Sequence, residues 1–152
     1  MVLAKSQGLS ASLEDYLEVI FKLTGESKTA RNKDIAKSLG VSKPSVTGAL
    51  RALKKKGLIN YKPYGYITLT EDGEAAATEV LRRHNILKSF FINMLGVQAD
   101  VASQAACKAE HTLGPEVITK LLCFIEFVAR KSKDNYDLVG EFKQFCKNQR
   151  IK

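Results

Sequence analysis

Between Asn32 and Leu69 the chain carries a succession of signals that very few folds can satisfy. A short stripe of Ile35, Ala36 and Leu39 predicts a helix over about Asn32–Ser38, closed by Gly40. Ser42 is a good N-cap for a further helix, and Pro44 falls in its first turn, where a missing N–H is harmless. Val46, Ala49, Leu50 and Leu53 make the inner stripe of that helix, and Lys43, Ser45, Thr47, Gly48, Arg51 and Lys54 form its other face. Gly57 ends it. Leu58–Tyr61 and Tyr66–Leu69 are strand residues around the turn residues Lys62-Pro63-Tyr64-Gly65, which predicts a β-hairpin. Upstream, Ser12 as N-cap and Leu13, Tyr16, Leu17, Ile20 and Phe21 at helical spacing predict a first helix over about Leu13–Leu23, broken by Gly25-Glu26-Ser27. Helix, short helix, turn, helix and hairpin is the order of a winged helix-turn-helix, expected over residues 1–70.

Charge is concentrated in this same stretch. The chain of 152 residues has a formal charge of +8, yet the segment from Lys28 to Tyr66 alone carries ten basic residues and one acid, Asp34. The remainder is close to neutral, so a polyanion-binding module is joined to something else. Ser45, Thr47 and Gly48 are small enough to let the third helix approach base edges, while Arg51, Lys54 and the wing's Lys62 suit phosphates. Arg31, Lys43 and Tyr64 complete the expected DNA-facing set.

The second half reads as helix throughout. Thr70 caps a long helix over about Glu71–Leu95, stopped by Gly96, and another is expected over about Ala99–Leu113. Gly114-Pro115 then starts a helix over about Glu116–Lys131 whose Val117, Ile118, Leu121, Leu122, Phe124, Ile125, Phe127 and Val128 are apolar on two faces. Such a helix usually hides its second face against another chain, and a symmetric homodimer would also supply paired recognition helices. Tyr136–Cys146 adds a short amphipathic helix through Leu138, Phe142 and Phe145. The expected fold class is therefore mainly α: a winged helix-turn-helix with a β-hairpin wing, then an all-helical dimerisation domain over 71–152. No apolar run is long enough to cross a bilayer. Three widely spaced cysteines, Cys107, Cys123 and Cys146, argue against a disulfide framework and for a reducing, cytoplasmic setting.

Cys107, Glu110 and His111 converge on one helical face, which is the geometry of a transition-metal half-site. On the residues alone, the same spacing also suits a small core cysteine, a solvated acid and a helix-terminal histidine. Asp15 and Glu18 lie three apart on the first helix, and His84 lies on the long helix between Val80 and Leu87.

Ser12-Leu13-Glu14-Asp15-Tyr16-Leu17-Glu18, Asp34-Ile35-Ala36, Ser45-Val46-Thr47, Arg83-His84 and Ala106-Cys107-Lys108-Ala109-Glu110-His111 together resemble the diphtheria-toxin-repressor and manganese-transport-regulator family, in the same order over about residues 12–130. The resemblance implies a homodimeric, metal-activated repressor of metal-homeostasis genes that binds operator DNA. It also implies Asp15, Glu18, His84, Cys107, Glu110 and His111 as metal ligands. Asp15 and Glu18 look like the manganese branch, whereas Cys107 looks like the iron branch. A second site of the iron branch needs ligands where this chain has Lys88 and Ser103, so it is not expected here as that branch builds it. The SH3-like domain of longer members is not expected either, since the chain stops at Lys152. A thiolate favours Fe²⁺, Co²⁺ or Zn²⁺ over Mn²⁺, while the carboxylates are hard ligands; the expected ion is Fe²⁺, with Mn²⁺ as the alternative.

Two other classes are open to such a chain. One is a winged-helix regulator of a thiol oxidant or an organic ligand, with Cys107 as the redox element. The other is a metallohydrolase using Glu110 as base. The sequence shows no nucleophile elbow, phosphate loop or paired catalytic acids, so no enzyme is expected.

Overall fold

The computed structural model describes residues 8–133 and 137–149. It divides into two compact units, Met1–Leu81 and Arg82–Lys152.

In the first unit, α1 (Ala11–Ser27), α2 (Asn32–Leu39) and α3 (Lys43–Lys55) are followed by β1 (Ile59–Tyr61), β2 (Ile67–Leu69) and the start of α4 (Glu71–Ser89). Leu17, Ile20, Ile35, Val46, Leu50, Leu53 and Ile67 are wholly buried in one core, so the apolar stripes of all three helices meet the hairpin. Each turn follows from its residues. Gly40 adopts a left-handed φ of 65° and closes α2 by donating to Ala36 O. Ser42 Oγ accepts from Ser45 N at 3.3 Å and caps α3. The antiparallel hairpin pairs Ile59 with Leu69 and Tyr61 with Ile67. A further bridge ties Ala30 to Ile67 through two backbone bonds of 2.9 Å, anchoring the wing to the segment before α2. Thr70 Oγ1 accepts from Gly73 N at 3.0 Å, donates to Gly57 O at 2.7 Å, and so joins the start of α4 to the end of α3.

Two expectations for the first helix need correction. Its N-cap is Ser10, whose Oγ accepts from Leu13 N, and not Ser12. Gly25-Glu26-Ser27 does not break it; the helix ends at Lys28 in a left-handed conformation. A helical glycine costs only about 1 kcal/mol, which the buried Tyr16, Leu17 and Ile20 easily outweigh.

In the second unit, the end of α4 passes into a π-helical turn at Phe90–Met94, followed by α5 (Ala99–Ala109), α6 (Pro115–Lys133) and α7 (Leu138–Asn148). Leu87, Ala106 and Ile118 form its core, with Phe91, Leu113, Leu121 and Leu122 packed around them. The α-helix therefore stops at Ser89, short of the expected Leu95, where the backbone widens into the π-helical turn; there Phe90 packs edge-on to Phe91 and Phe124. α5 likewise ends at Ala109, so Glu110 is its C-cap and His111 stands in the turn beyond it. α6 buries Ile118 and Val128 but leaves Val117, Phe124 and Phe127 about half exposed. α7 is capped by Asp137 Oδ1, which accepts from Gly140 N at 2.9 Å; Tyr136 lies outside the described residues.

Candidate metal centre and nucleic-acid interface

The second unit gathers four of the expected ligands. His84 comes from α4, Cys107 from the last turn of α5, Glu110 from its C-cap and His111 from the turn that follows. Glu110 is completely buried. Its Oε2 lies 2.7 Å from His84 Nδ1, and its Oε1 lies 3.5 Å from His111 Nε2. A ring nitrogen of His111 stands within 4.8 Å of Cys107 Sγ. An ionised carboxylate is costly to bury without charged or hydrogen-bonding neighbours; here the His84 ring supplies a hydrogen-bond partner for Oε2, and the His111 ring stands beside Oε1 without a hydrogen bond to it. The bland readings of this segment do not survive in two respects: Glu110 is no solvated acid, and Cys107 is exposed and no core residue. Two imidazoles, a thiol and a carboxylate form a mixed donor set suited to a first-row divalent ion.

Asp15 and Glu18 belong to α1 of the first unit. Both are half-buried, beside the buried Glu14, a residue that sequence reasoning passed over. Glu18 Oε1 accepts from Lys22 Nζ at 2.6 Å, one turn along the same helix.

The first unit also contains a cleft of about 610 Å³ between α2, α3 and the wing. Of the expected DNA-facing residues, Arg31, Lys43, Thr47, Arg51 and Tyr64 line it. Ser45, Gly48, Lys54 and Lys62 are exposed but lie off its lining. Thr47 is half-buried and its hydroxyl is engaged, accepting from Asn32 Nδ2 at 3.0 Å and donating to Lys43 O at 3.1 Å. Tyr64 stands fully in solvent at a left-handed φ of 60°, at the wing tip. Sequence reasoning missed Asn32, Lys33 and Tyr66 on this lining. The signal for the first two was their place at the start of a helix inside a basic segment.

Comparison with known proteins fits this arrangement. The family profile described as "Iron dependent repressor, N-terminal DNA binding domain" matches residues 8–67, and "Iron dependent repressor, metal binding and dimerisation domain" matches residues 70–136. The chain belongs to the iron dependent repressor family. Among relatives of this family member, the HTH-type transcriptional regulator MJ0568 of Methanocaldococcus jannaschii is 38% identical over 119 residues, covering 78% of this chain and 95% of that protein. The transcriptional regulator MntR of Salmonella typhimurium is 36% identical over 114 residues, covering 75% and 72%. The solved structure of the manganese regulator SloR superposes with a TM-score of 0.66 at 29% identity, covering 76% of this chain; the chain spans about half the length of that one, 54%. The fold is that of a metal-dependent transcriptional regulator: a DNA-binding domain followed by a metal-binding and dimerisation domain. No helix among the described residues is long and apolar enough to cross a membrane.

Proposed function

We propose that this chain is a repressor that binds operator DNA as a homodimer when it holds Fe²⁺, with Mn²⁺ as the alternative ion. Residues 1–70 serve as the DNA-binding part and residues 71–152 as the metal-binding and dimerisation part. The observation that carries the reading is the buried Glu110 carboxylate held between His84 and His111, with the Cys107 thiol beside the latter. His84, Cys107, Glu110 and His111 are the ligands from the second unit, and Asp15 and Glu18 those from α1. The family description points to iron and the name of SloR to manganese. Cys107 favours the softer Fe²⁺, and the three carboxylates keep Mn²⁺ acceptable.

The bound ion supplies positive charge to a group of acidic ligands. Without it, Asp15, Glu18, Glu110 and a Cys107 thiolate would repel one another, and the DNA-binding units would not be held ready for the operator. Once their charge is neutralised, the two recognition helices of the dimer would settle about one duplex turn (~34 Å) apart. Only a difference in metal affinity between the two arrangements can drive this switch; a 100-fold preference corresponds to about 2.7 kcal/mol. Metal analysis of anaerobically purified protein, paired with DNA binding across Fe²⁺, Mn²⁺ and Zn²⁺, tests the reading. Binding that follows Fe²⁺ or Mn²⁺ and vanishes with chelator supports it. Binding that is indifferent to metal but abolished by peroxide would replace it with a thiol sensor acting through Cys107.

A further inference from the structure

One side-chain pair in the first unit joins the helix-turn-helix to its wing. The Arg31 guanidinium lies over the Tyr66 ring, 4.7 Å from its centroid, and donates through its terminal nitrogen to the Tyr66 hydroxyl. Arg31 is the N-cap residue of α2, and its side chain makes no capping bond. Tyr66 immediately precedes β2 and is more than half exposed. Both line the basic cleft with Lys33, Lys43 and Arg51.

We propose that Tyr66 is a positioning residue, which holds the Arg31 guanidinium as a preformed phosphate clamp at the mouth of this cleft. The inference rests on the DNA-binding reading and deepens it. A long arginine in water samples many rotamers and loses that freedom on meeting a phosphate. Stacked on a ring and tied at one nitrogen, Arg31 has already lost it. The stacking uses the guanidinium face and one N–H, so the remaining N–H donors of the planar fork are available for phosphate oxygens. The aromatic face is also a mild attraction, worth about 0.5–1 kcal/mol at exposed sites. The backbone bridge between Ala30 and Ile67 holds the wing independently, so the Arg31–Tyr66 pair is not needed to keep the hairpin in place.

The test is a double-mutant cycle on the full-length, Mn²⁺-loaded protein, read by fluorescence anisotropy on a mixed-sequence duplex about 30 base pairs long. Arg31→Ala should weaken binding and lower the salt-dependence slope by about one phosphate contact. Tyr66→Leu should weaken binding by about threefold, and Tyr66→Phe by less, because the ring remains. In the Arg31→Ala background, Tyr66→Leu should have no further effect. A merely structural Tyr66 would still matter there, so additive losses would overturn the inference. Equal binding by wild type and Tyr66→Leu would overturn it too, with thermal melts showing that every variant is folded. Failure of the wild type to bind any duplex would instead overturn the DNA-binding reading, and this inference with it.

Discussion

Glu110 Oε2 lies 2.7 Å from His84 Nδ1 although 26 residues separate them, and the carboxylate has no exposure to solvent. A hydrogen bond of this kind fixes both the ring orientation and the tautomer of the histidine, the usual way in which a metal-binding imidazole is prepared. In the proposed site, Glu110 would thus orient the His84 ring before any ion arrives. Glu110→Gln should keep the shape of the pocket, and it should lower Mn²⁺ affinity by about 10–100-fold, measured by competition with a chromophoric chelator. Unchanged affinity would assign the buried pair to packing alone.

The exposed face of α6 predicts the behaviour of the dimerisation domain. Phe124 and Phe127 are about half exposed on a helix whose Ile118 and Val128 are already buried within the unit. The substitution Phe127→Glu should leave helical circular dichroism intact and shift sedimentation towards a monomer. A dimer that persists would move the interface to another face.

Gly48 separates folding from DNA approach. It lies exposed on α3, and a Cβ there would meet nothing within 4 Å. Gly48→Ala should therefore stabilise α3 by about 0.5–1 kcal/mol in thermal melts. The same change should weaken operator binding if the helix comes close to base edges. Stabilisation with undiminished binding would place Gly48 away from the duplex.

Gly73 makes the opposite case. A Cβ at Gly73 would lie 1.9 Å from the Leu58 carbonyl oxygen, a backbone atom that cannot step aside cheaply. Leu58 O also accepts from Thr70 N at 3.1 Å, so movement there disturbs the joint between the wing and α4. Gly73→Ala should cost about 2 kcal/mol or more in denaturant unfolding. A melt like that of the wild type would contradict this close approach.

The sequence discloses these elements unevenly, for physical reasons. Ile35, Ala36, Val46, Leu50 and Leu53 recur at helical spacing and are flanked by Gly40, Ser42 and Gly57, so α2 and α3 were legible almost to the residue. The start of α1 was not, because Ser10 and Ser12 are equally good caps and only the Leu13 N–H decides between them. The π-helical turn at Phe90–Met94 coincides with the meeting of Phe90 and Phe124 from α6, a contact that no local pattern announces. At the candidate metal centre, spacing placed Cys107, Glu110 and His111 together, yet it could not distinguish a solvated Glu110 from a buried one. The partner of that buried carboxylate, His84, arrives from a different helix. Tyr66 escaped notice because an aromatic residue at the start of an expected strand needs no explanation until an arginine is found lying on it; β2 itself begins at Ile67.

Metal gating of DNA binding is tested most directly by comparing the wild type with Asp15→Ala and Glu110→Ala in anaerobic operator binding, with Fe²⁺ and with chelator. Tight, Fe²⁺-dependent binding is expected of the wild type alone, and metal-indifferent weak binding of both variants. Variants that bind operator as tightly as metal-loaded wild type, in chelator, would show that these carboxylates do not gate DNA binding.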